Sequence, residues 1–260
     1  MNGRFGARTV IFSLERKKKI RYIYFVSTLY IVATPIGNLG DITLRAIETF
    51  KNADVIACED TRRTLRLLNH LEISKPLLSC RARNEREASQ KVVRLLNDEK
   101  NIAYASDAGT PALSDPGAVL VNAAREAGHA IVPIPGASAF STLLSAAGGF
   151  DKTVVFEGFL SPKAGRRRSR LAELMNGEAA CVLYESPYRI VKLLADIADI
   201  DGKRVIVVGR ELTKLHEEIL QKDAISMYEL FAARQTVKGE FAIYVSGGKT
   251  LNKTDADADI

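Results

Sequence analysis

The feature that most constrains this fold is a fivefold alternation of short apolar runs with helical patterns in the first half of the chain. The apolar runs lie at 29–33, 54–58, 76–79, 101–105 and 130–134, and they predict strands that are buried on both faces. Helical spacing of apolar residues follows them, for example at 43–51, 87–99 and 118–127. Strands that alternate with helices build parallel sheets covered on both faces. We therefore predict an α/β fold with a doubly wound parallel sheet.

A second α/β set follows the segment 148–151, whose two glycines mark the best domain boundary. The predicted strands of this set lie at 153–159, 179–185, 204–209 and 241–246, and its helices at 167–175, 188–198 and about 223–235. The expected organisation is an extension at 1–27, an N-terminal domain at 28–148, a C-terminal domain at 149–247 and a tail at 248–260.

The two ends differ in composition from the part between them. The N-terminal end carries a basic run at 16–21 before an apolar stretch, like a signal peptide, but the apolar stretch is too short to span a membrane and no small-residue cleavage site follows. We expect a disordered extension, or translation that naturally begins near Val26. The polar stretch 249–260 reads as a disordered tail.

Composition favours a globular protein of a reducing compartment. The chain has 260 residues, of which 47% are hydrophobic and 26% charged, which is ordinary for soluble domains. Its three cysteines are odd in number and far apart, and its three histidines are scattered, so we expect a cytoplasmic protein with no disulfide framework, no metal and no membrane segment. The net charge of +6 is weak evidence for nucleic acid, because residues 1–28 hold seven Lys or Arg and one Glu.

A twelve-residue loop at 106–117 contains two glycines, two prolines and two aspartates, directly after a predicted strand. Loops at the carboxyl ends of parallel strands are where open α/β sheets bind ligands. The loop offers a carboxylate, hydroxyl groups and backbone N–H groups in a small space. It could equally be a tight connection, with Asp115 or Ser114 near the N-cap of the next helix. A second glycine-containing turn, 34–41, joins the first strand to a helix in the manner of a nucleotide-binding unit.

Seven segments taken together resemble the tetrapyrrole-methylase-like family of S-adenosylmethionine enzymes, and within it the members that methylate small-subunit ribosomal RNA. They lie, in order, at 29–43, 59–62, 106–117, 135–138, 157–160, 184–186 and 210–214, and the resemblance covers about 28–247. It implies a class III methyltransferase: two α/β domains with S-adenosylmethionine in the cleft between them, and a homodimer. It also implies 2′-O-methylation of a cytidine ribose in the decoding region of 16S rRNA.

The resemblance implies site residues position by position. Those expected to bind the cofactor are Pro35, Ile36, Gly37, Asp107, Gly109, Thr110, Ser138, Ala139, Tyr184, Glu185, Glu211, Leu212, Gly239 and Glu240. Where the family usually has His-x-His-Asn-Glu, this chain has Arg81 and Arg83. A proton-transfer role is in doubt there because arginine stays protonated, whereas phosphate binding would survive.

The residues themselves suggest the other roles. A ribose hydroxyl needs a base or a polarising cation to become a nucleophile. The candidates are Glu59, Asp60, Glu85, Glu185 and Lys214, from which we select Glu59, Glu85 and Lys214. The arginines expected to contact RNA phosphates are Arg62, Arg63, Arg81, Arg83, Arg166, Arg167 and Arg168.

Three other functions are compatible with the sequence. A methyltransferase of the same fold could act on a tetrapyrrole or another small molecule, since propionate-rich macrocycles also bind arginine. A ribosome-associated RNA-binding protein that has lost catalysis would explain the changes at Arg81 and Arg83. A nucleotide-sugar or phosphate-binding α/β protein would account for the loops alone, and it would not bind S-adenosylmethionine.

Overall fold

The computed structural model of the chain describes residues 27–148 and 152–248. The expected extension before Ser27, the start near Val26, the tail beyond Gly248 and most of the boundary segment 148–151 lie outside these residues. The chain divides into two compact units. The first unit runs to Pro35 and continues from Leu39 to Gly136, while the second unit takes the short segment Ile36–Asn38 and everything from Ala137 onward.

The first unit is built on a five-stranded sheet whose paired strands all run parallel. Its strands are β1 (Thr28–Val32), β2 (Val55–Cys58), β3 (Leu77–Ser79), β4 (Ile102–Ala105) and β5 (Ala130–Ile134), and they lie in the order β3-β2-β4-β1-β5. The prediction of five parallel strands is confirmed. Because β2, β4 and β1 are neighbours, the loops after them emerge side by side at one edge of the sheet.

Helices cover both faces of this sheet, as the alternation predicts. They are α1 (Leu44–Asn52), α2 (Thr61–His70), α3 (Glu85–Asn97) and α4 (Ala118–Glu126). Phe50 of α1 packs in one core cluster with Ala103 of β4, and Val92 of α3 packs in the other with Ile102. Consecutive residues of β4 thus face opposite helix layers, which explains why the strand is apolar throughout.

The second unit has a mixed five-stranded sheet. Its strands are β6 (Val154–Phe159), β7 (Ala180–Glu185), β8 (Val205–Arg210), β9 (Glu218–Asp223) and β10 (Phe241–Val245), in the order β6-β7-β10-β8-β9. Strands β6 and β7 are parallel, whereas β10 is antiparallel to both β7 and β8, and β9 is antiparallel to β8. Helices α6 (Ala164–Met175), α7 (Ile190–Ile200) and α8 (Ala224–Ala232) cover one face and α5 (Ala139–Ala146) the other.

The structure differs from the sequence prediction at β9 and at the boundary between the units. Strand β9 was missed because it is an edge strand with largely exposed polar residues, so it lacks the apolar run that marks the other strands. The units divide after Gly136, earlier than the glycines at 148 and 149, because Leu143 of α5 is fully buried against the second sheet. Helix α5 therefore belongs with the residues that follow it.

Candidate functional site

Acidic and basic side chains meet where the parallel strands of the first unit end. Glu59 and Asp60 follow β2, Arg81 comes shortly after β3, and Asp107 comes shortly after β4. The Asp107 carboxylate accepts a hydrogen bond from the Asp60 backbone N–H at 2.9 Å, and the Asp107 backbone N–H donates to Glu59 Oε2 at 3.4 Å. These contacts bring together three of the residues that the sequence singles out.

The local environment raises the pKa of the Glu59 carboxyl. Burial raises its pKa above the usual value, and the nearby negative charge of Asp107 raises it further. The Asp107 backbone N–H and the cations of Arg63 and Arg81 act in the opposite direction without cancelling the shift. A carboxylate with a raised pKa is a stronger proton acceptor, so this group suits general base chemistry.

Three of the predicted RNA-binding arginines lie around these carboxylates. Arg62 Nη2 pairs with Asp60 Oδ2 at 2.7 Å, and its hydrogen bonds hold the pKa of Asp60 well below the usual range. Arg63 Nε lies 3.5 Å from Asp107 Oδ2. Arg81 Nε donates to the backbone carbonyl of Glu59 at 3.2 Å, and its Nη2 lies 3.6 Å from Asp60 Oδ1. Arg81 therefore helps to fix the segment that carries Glu59.

The central loop is anchored by its own backbone and held in an uncommon conformation. Thr34 and Gly109 exchange two backbone hydrogen bonds of 2.9 Å, which join the loop after β1 to the loop after β4. Ala112 and Ser114 both have positive φ angles, of 64° and 70°. Such left-handed residues cost about 1–3 kcal/mol each and cluster at functional sites. The Thr34 hydroxyl, which sequence reasoning missed, is buried and has no hydrogen-bond partner in the described chain.

Glu85 occupies a different place from the one expected of a proton acceptor. Its Oε1 accepts hydrogen bonds from the backbone N–H groups of Gly117 at 2.7 Å and Val119 at 3.2 Å. These are the first N–H groups of α4, whose N-cap residue, Gly117, has no side chain to satisfy them. The sequence had suggested Asp115 or Ser114 for this cap. Glu85 thus ties the start of α3 to the end of the central loop.

Replacing Glu85 with Ala should lower the free energy of unfolding by about 1–2 kcal/mol, because the N-terminus of α4 loses its cap. Urea unfolding followed by circular dichroism measures the change. The matched control is Glu87→Ala on the same helix, where solvent screens the exposed pair with Lys91 and little change in stability is expected. Equal effects of the two substitutions would contradict the capping role.

In the second unit, the segment Ile36–Asn38 packs against the loop that follows β8. A methyl group on Gly37 would collide with Cγ of Lys214 and lie 2.8 Å from Oγ1 of Thr213, so only glycine fits there. The Asn38 backbone N–H donates to the same Thr213 oxygen at 3.1 Å. Glu211 and Thr213 have positive φ angles of 50° and 66°. This loop is therefore a second place where an uncommon backbone coincides with predicted site residues.

Lys214 is held by two carboxylates. Its Nζ donates to Glu211 Oε1 at 2.8 Å and to Glu240 Oε2 at 3.0 Å, and Glu211 Oε1 also accepts from the Glu240 backbone N–H at 2.9 Å. Burial lowers the pKa of Lys214, but the hydrogen bonds to the two glutamates outweigh burial and leave the pKa raised. Lys214 therefore stays protonated at neutral pH, which suits a fixed cation and argues against its use as a base.

Two more predicted residues of the second unit carry buried polar atoms that lack partners. Ser138 is the N-cap residue of α5, yet its buried hydroxyl makes no hydrogen bond within the described chain. Glu185 Oε1 pairs with Arg189 Nη2 at 2.7 Å and accepts from the Ser186 N–H at 2.7 Å, whereas its buried Oε2 has no partner there. A buried polar group without a partner is costly, so these atoms suit a ligand. Ala139 follows Ser138 as the first residue of α5, and Leu212 is buried in the core.

The predicted arginine cluster on α6 divides into three different environments. Arg167 is buried and its Nε donates to Asp196 Oδ2 of α7 at 2.6 Å, with both side chains at most 7% exposed. Arg168 pairs with Asp196 at 2.6 Å and with Asp199 at 2.8 Å. Arg166 is exposed. The charge of Arg167 is thus compensated inside the protein. Its pair with Asp196 is enough to explain why an arginine is present at this buried position.

Comparison with known proteins decides the family. The sequence model of the protein family of tetrapyrrole (corrin/porphyrin) methylases matches residues 28–225. The chain is 44% identical over 219 residues to the Ribosomal RNA small subunit methyltransferase I of Borrelia garinii subsp. bavariensis, covering 84% of this chain and 98% of that protein. The chain belongs to the ribosomal RNA small subunit methyltransferase I family of tetrapyrrole methylases. Its relative of that name in Bacillus subtilis is 42% identical over 84% of this chain and 75% of its own length.

Solved structures of the wider family share the fold. A cobalt precorrin-4 methyltransferase has a TM-score of 0.62 at 18% identity and covers 84% of this chain and 94% of its own. A uroporphyrin-III C-methyltransferase from Thermus thermophilus has a TM-score of 0.59 at 15% identity, covering 85% and 94%. Within the described residues, no helix is long and apolar enough to cross a membrane, and no group of three or more His, Cys, Asp or Glu is placed to bind a metal ion.

Proposed function

We propose that this chain transfers a methyl group from S-adenosylmethionine to the ribose 2′-oxygen of a cytidine in the decoding region of 16S rRNA. The observation that carries the proposal is the 44% identity, over nearly the whole of the relative, to a protein named Ribosomal RNA small subunit methyltransferase I. We further propose that the enzyme is a cytoplasmic homodimer that acts on the small ribosomal subunit.

The donor set of the chain fits S-adenosylmethionine. This cofactor carries an amino group, a carboxylate, two ribose hydroxyls and an adenine, all of which form hydrogen bonds. The buried partnerless atoms Thr34 Oγ1, Ser138 Oγ and Glu185 Oε2 can satisfy such groups. An acidic side chain such as Glu185 is suited to a ribose hydroxyl. The residues proposed to hold the cofactor are Pro35, Ile36, Gly37, Asp107, Gly109, Thr110, Ser138, Ala139, Tyr184, Glu185, Glu211, Leu212, Gly239 and Glu240, with Thr34 added from the structure.

Glu59 is the proposed proton acceptor. When bound, the cofactor supplies an electrophilic methyl group on a sulfonium. Glu59 would accept the proton that the ribose 2′-hydroxyl loses, because its raised pKa makes it a better base than an ordinary carboxylate. Arg81 and Asp107 keep Glu59 in place through the contacts described above. Lys214, protonated, is proposed to act as a fixed cation, and Glu85 to hold the central loop.

Exposed arginines are proposed to bind the phosphates of the RNA. Within the described chain the side chains of Arg83 and Arg166 make no ion pair or hydrogen bond, and both residues are exposed. Arg62 and Arg63 keep much of their surface exposed despite their carboxylate partners. We therefore propose that phosphate binding depends on these exposed arginines more than on Arg167, which is buried, or Arg81, which is engaged with the Glu59 segment.

Replacing Arg83 with Ala should weaken binding of the 30S particle and reduce the salt dependence of that binding. The slope of log K against log salt should fall by roughly 0.7–0.9, the value of one phosphate contact. Arg125→Ala, which removes an equal charge from the exposed face of α4, is the matched control and should leave the slope unchanged. Equal slopes for wild type and Arg83→Ala would contradict a phosphate contact there.

The choice between acceptors tests the proposed function. Purified enzyme is incubated with labelled S-adenosylmethionine and either 30S particles that lack ribose methylation or uroporphyrinogen, the acceptor class of the tetrapyrrole branch. We expect label in the 30S RNA alone. Transfer to the macrocycle would favour a small-molecule enzyme, while cofactor binding without transfer to either acceptor would favour an RNA-binding protein without catalysis. Absence of cofactor binding would contradict every methyltransferase reading.

A further inference from the structure

A β-bulge near the end of β6 changes the face of the sheet on which the last residue of that strand lies. Strand β6 pairs with β7 in regular register up to Phe156, opposite Val182, and the pairing resumes with Gly158 opposite Leu183. Glu157 is therefore an extra residue, and Gly158 has a φ of 70°, which glycine adopts without strain. As a result Phe159 lies opposite Tyr184, on the same face of the sheet as Phe156.

The bulge completes a row of aromatic rings. Phe140 contacts Phe156, Phe156 contacts Tyr184, and Tyr184 contacts Phe159, with ring centroids 5.1, 5.1 and 5.7 Å apart, all edge to face. The first three rings are partly buried against the core of the second unit, and the row ends at Phe159, whose surface is 53% exposed. The inner rings hold the outer one in place, so a ligand that stacks on Phe159 would lose little side-chain entropy on binding.

A second exposed aromatic residue lies in the neighbouring loop. Tyr188, which is 90% exposed, follows β7. The next residue, Arg189, donates from Nη1 to the backbone carbonyl of Leu160 at 3.3 Å and pairs through Nη2 with Glu185. Arg189 therefore ties the loop after β7 to the loop after β6. We call the exposed surface of Phe159 and Tyr188 the aromatic platform.

Unpaired positive charge accompanies the aromatic platform. Lys163 ends the loop that begins after Phe159, and Arg166 lies in the first turn of α6. Both residues are exposed, and neither side chain forms an ion pair or a hydrogen bond with the described residues. The acids nearest in sequence are already paired, since Glu157 and Glu173 both bind Arg170. An apolar ring surface followed a few residues later in the chain by free cations complements a ligand that has a flat aromatic group between anionic ones.

We propose that the aromatic platform stacks an unpaired nucleobase of the RNA substrate, while Lys163 and Arg166 bind the adjacent phosphates. Proteins that bind unstacked bases use this combination of exposed aromatic rings and cations. The inference rests on the proposed function, because it assigns the platform to the RNA acceptor and not to the cofactor. It adds Phe159, Tyr188 and Lys163 to the residues that recognise the substrate.

The chain contains no tryptophan, so a single introduced tryptophan reports directly on stacking. In the Phe159→Trp variant, a short cytidine-rich single-stranded oligoribonucleotide should quench the fluorescence saturably. The matched control is Ile219→Trp on β9, the opposite edge strand of the same sheet, where the side chain is 41% exposed and no quenching is expected. Quenching by S-adenosylmethionine without RNA would assign the platform to the cofactor and overturn the proposal.

A kinetic measurement separates this inference from the proposed function. Phe159→Leu keeps an apolar contact with Tyr184 but removes the ring, and it should raise the KM for 30S particles about tenfold while cofactor affinity in calorimetry stays unchanged. Phe159→Tyr should restore the wild-type KM. If wild type methylates 30S particles but Phe159→Leu has an unchanged KM, the inference fails and the proposed function stands. If RNA quenches the fluorescence but the protein methylates no 30S particle, the inference stands and the proposed function fails.

Discussion

Replacing Glu59 with Gln should reduce the rate of methyl transfer to 30S particles by about 10²–10⁴-fold, the usual contribution of a positioned general base. Glutamine keeps the shape of the side chain and can still accept the Asp107 N–H, but it cannot take up a proton. Cofactor affinity, measured by calorimetry, should remain unchanged. The loss should therefore appear in kcat and not in cofactor binding.

The pH dependence gives a sharper test of the same role. Because a base must be deprotonated to act, the rate should fall as the pH is lowered through the pKa of Glu59, which lies above its ordinary value of 4.5. The negative charge of Asp107 contributes to that rise, so Asp107→Asn should lower the pKa and move the acid limb to lower pH. Glu59→Gln should remove the limb, leaving a low rate that no longer varies there.

A surface carboxylate serves as the control for this pair of variants. Glu87→Gln removes an exposed acid on α3 and should change neither the rate nor the acid limb. Near-normal activity of Glu59→Gln, with the acid limb unaltered, would remove Glu59 from the mechanism.

Replacing Asp196 with Ala should lower the free energy of unfolding by about 3–5 kcal/mol, the largest stability loss we expect for a single substitution in this chain. Asp196 accepts hydrogen bonds from both Arg167 and Arg168 at 2.6 Å. Without it, the Arg167 guanidinium would remain buried with no opposite charge, and the desolvation of that charge would no longer be compensated. Thermal melting should show a decrease of several degrees in Tm.

Asp199 provides the matched control for Asp196. It lies on the same helix and pairs with the same Arg168 at 2.8 Å, but its side chain is 65% exposed. Asp199→Ala should cost less than about 1 kcal/mol, because solvent screens an exposed pair. If the two substitutions destabilise equally, burial of the Arg167–Asp196 pair is not what gives this cluster its value.

Local patterns were enough to predict most of the fold. The strands of the first unit are apolar throughout because both faces of that sheet are covered, and this produced unmistakable runs. Strand β9 contacts one neighbour and leaves polar residues exposed, so it has no such run. The antiparallel placement of β10 and the assignment of α5 to the second unit depend on contacts that are distant in sequence, which no local pattern contains.

The candidate site also contains residues that the sequence indicated and residues that depend on contacts distant in sequence. The sequence indicated Glu59, Asp107 and Lys214, because acidic and basic residues after strands are informative and the family resemblance supports them. It did not reveal that Glu85 caps α4 or that Asp196 neutralises Arg167. The two partners of each contact are about thirty residues apart, and neither Glu85 nor Asp196 differs in its local sequence from other acidic helix residues. Nor did it reveal the bulge that exposes Phe159, which depends on the pairing of β6 with β7.

The most direct measurement of the central claim is the position of the transferred methyl group in the RNA. Labelled 30S RNA is hydrolysed with alkali, which cleaves next to every free 2′-hydroxyl but not next to a 2′-O-methyl group. We predict that the label appears in an alkali-stable dinucleotide that begins with cytidine, and that nuclease mapping assigns it to the decoding region. Label in a mononucleotide, as base methylation would give, or label elsewhere in the RNA would contradict the account.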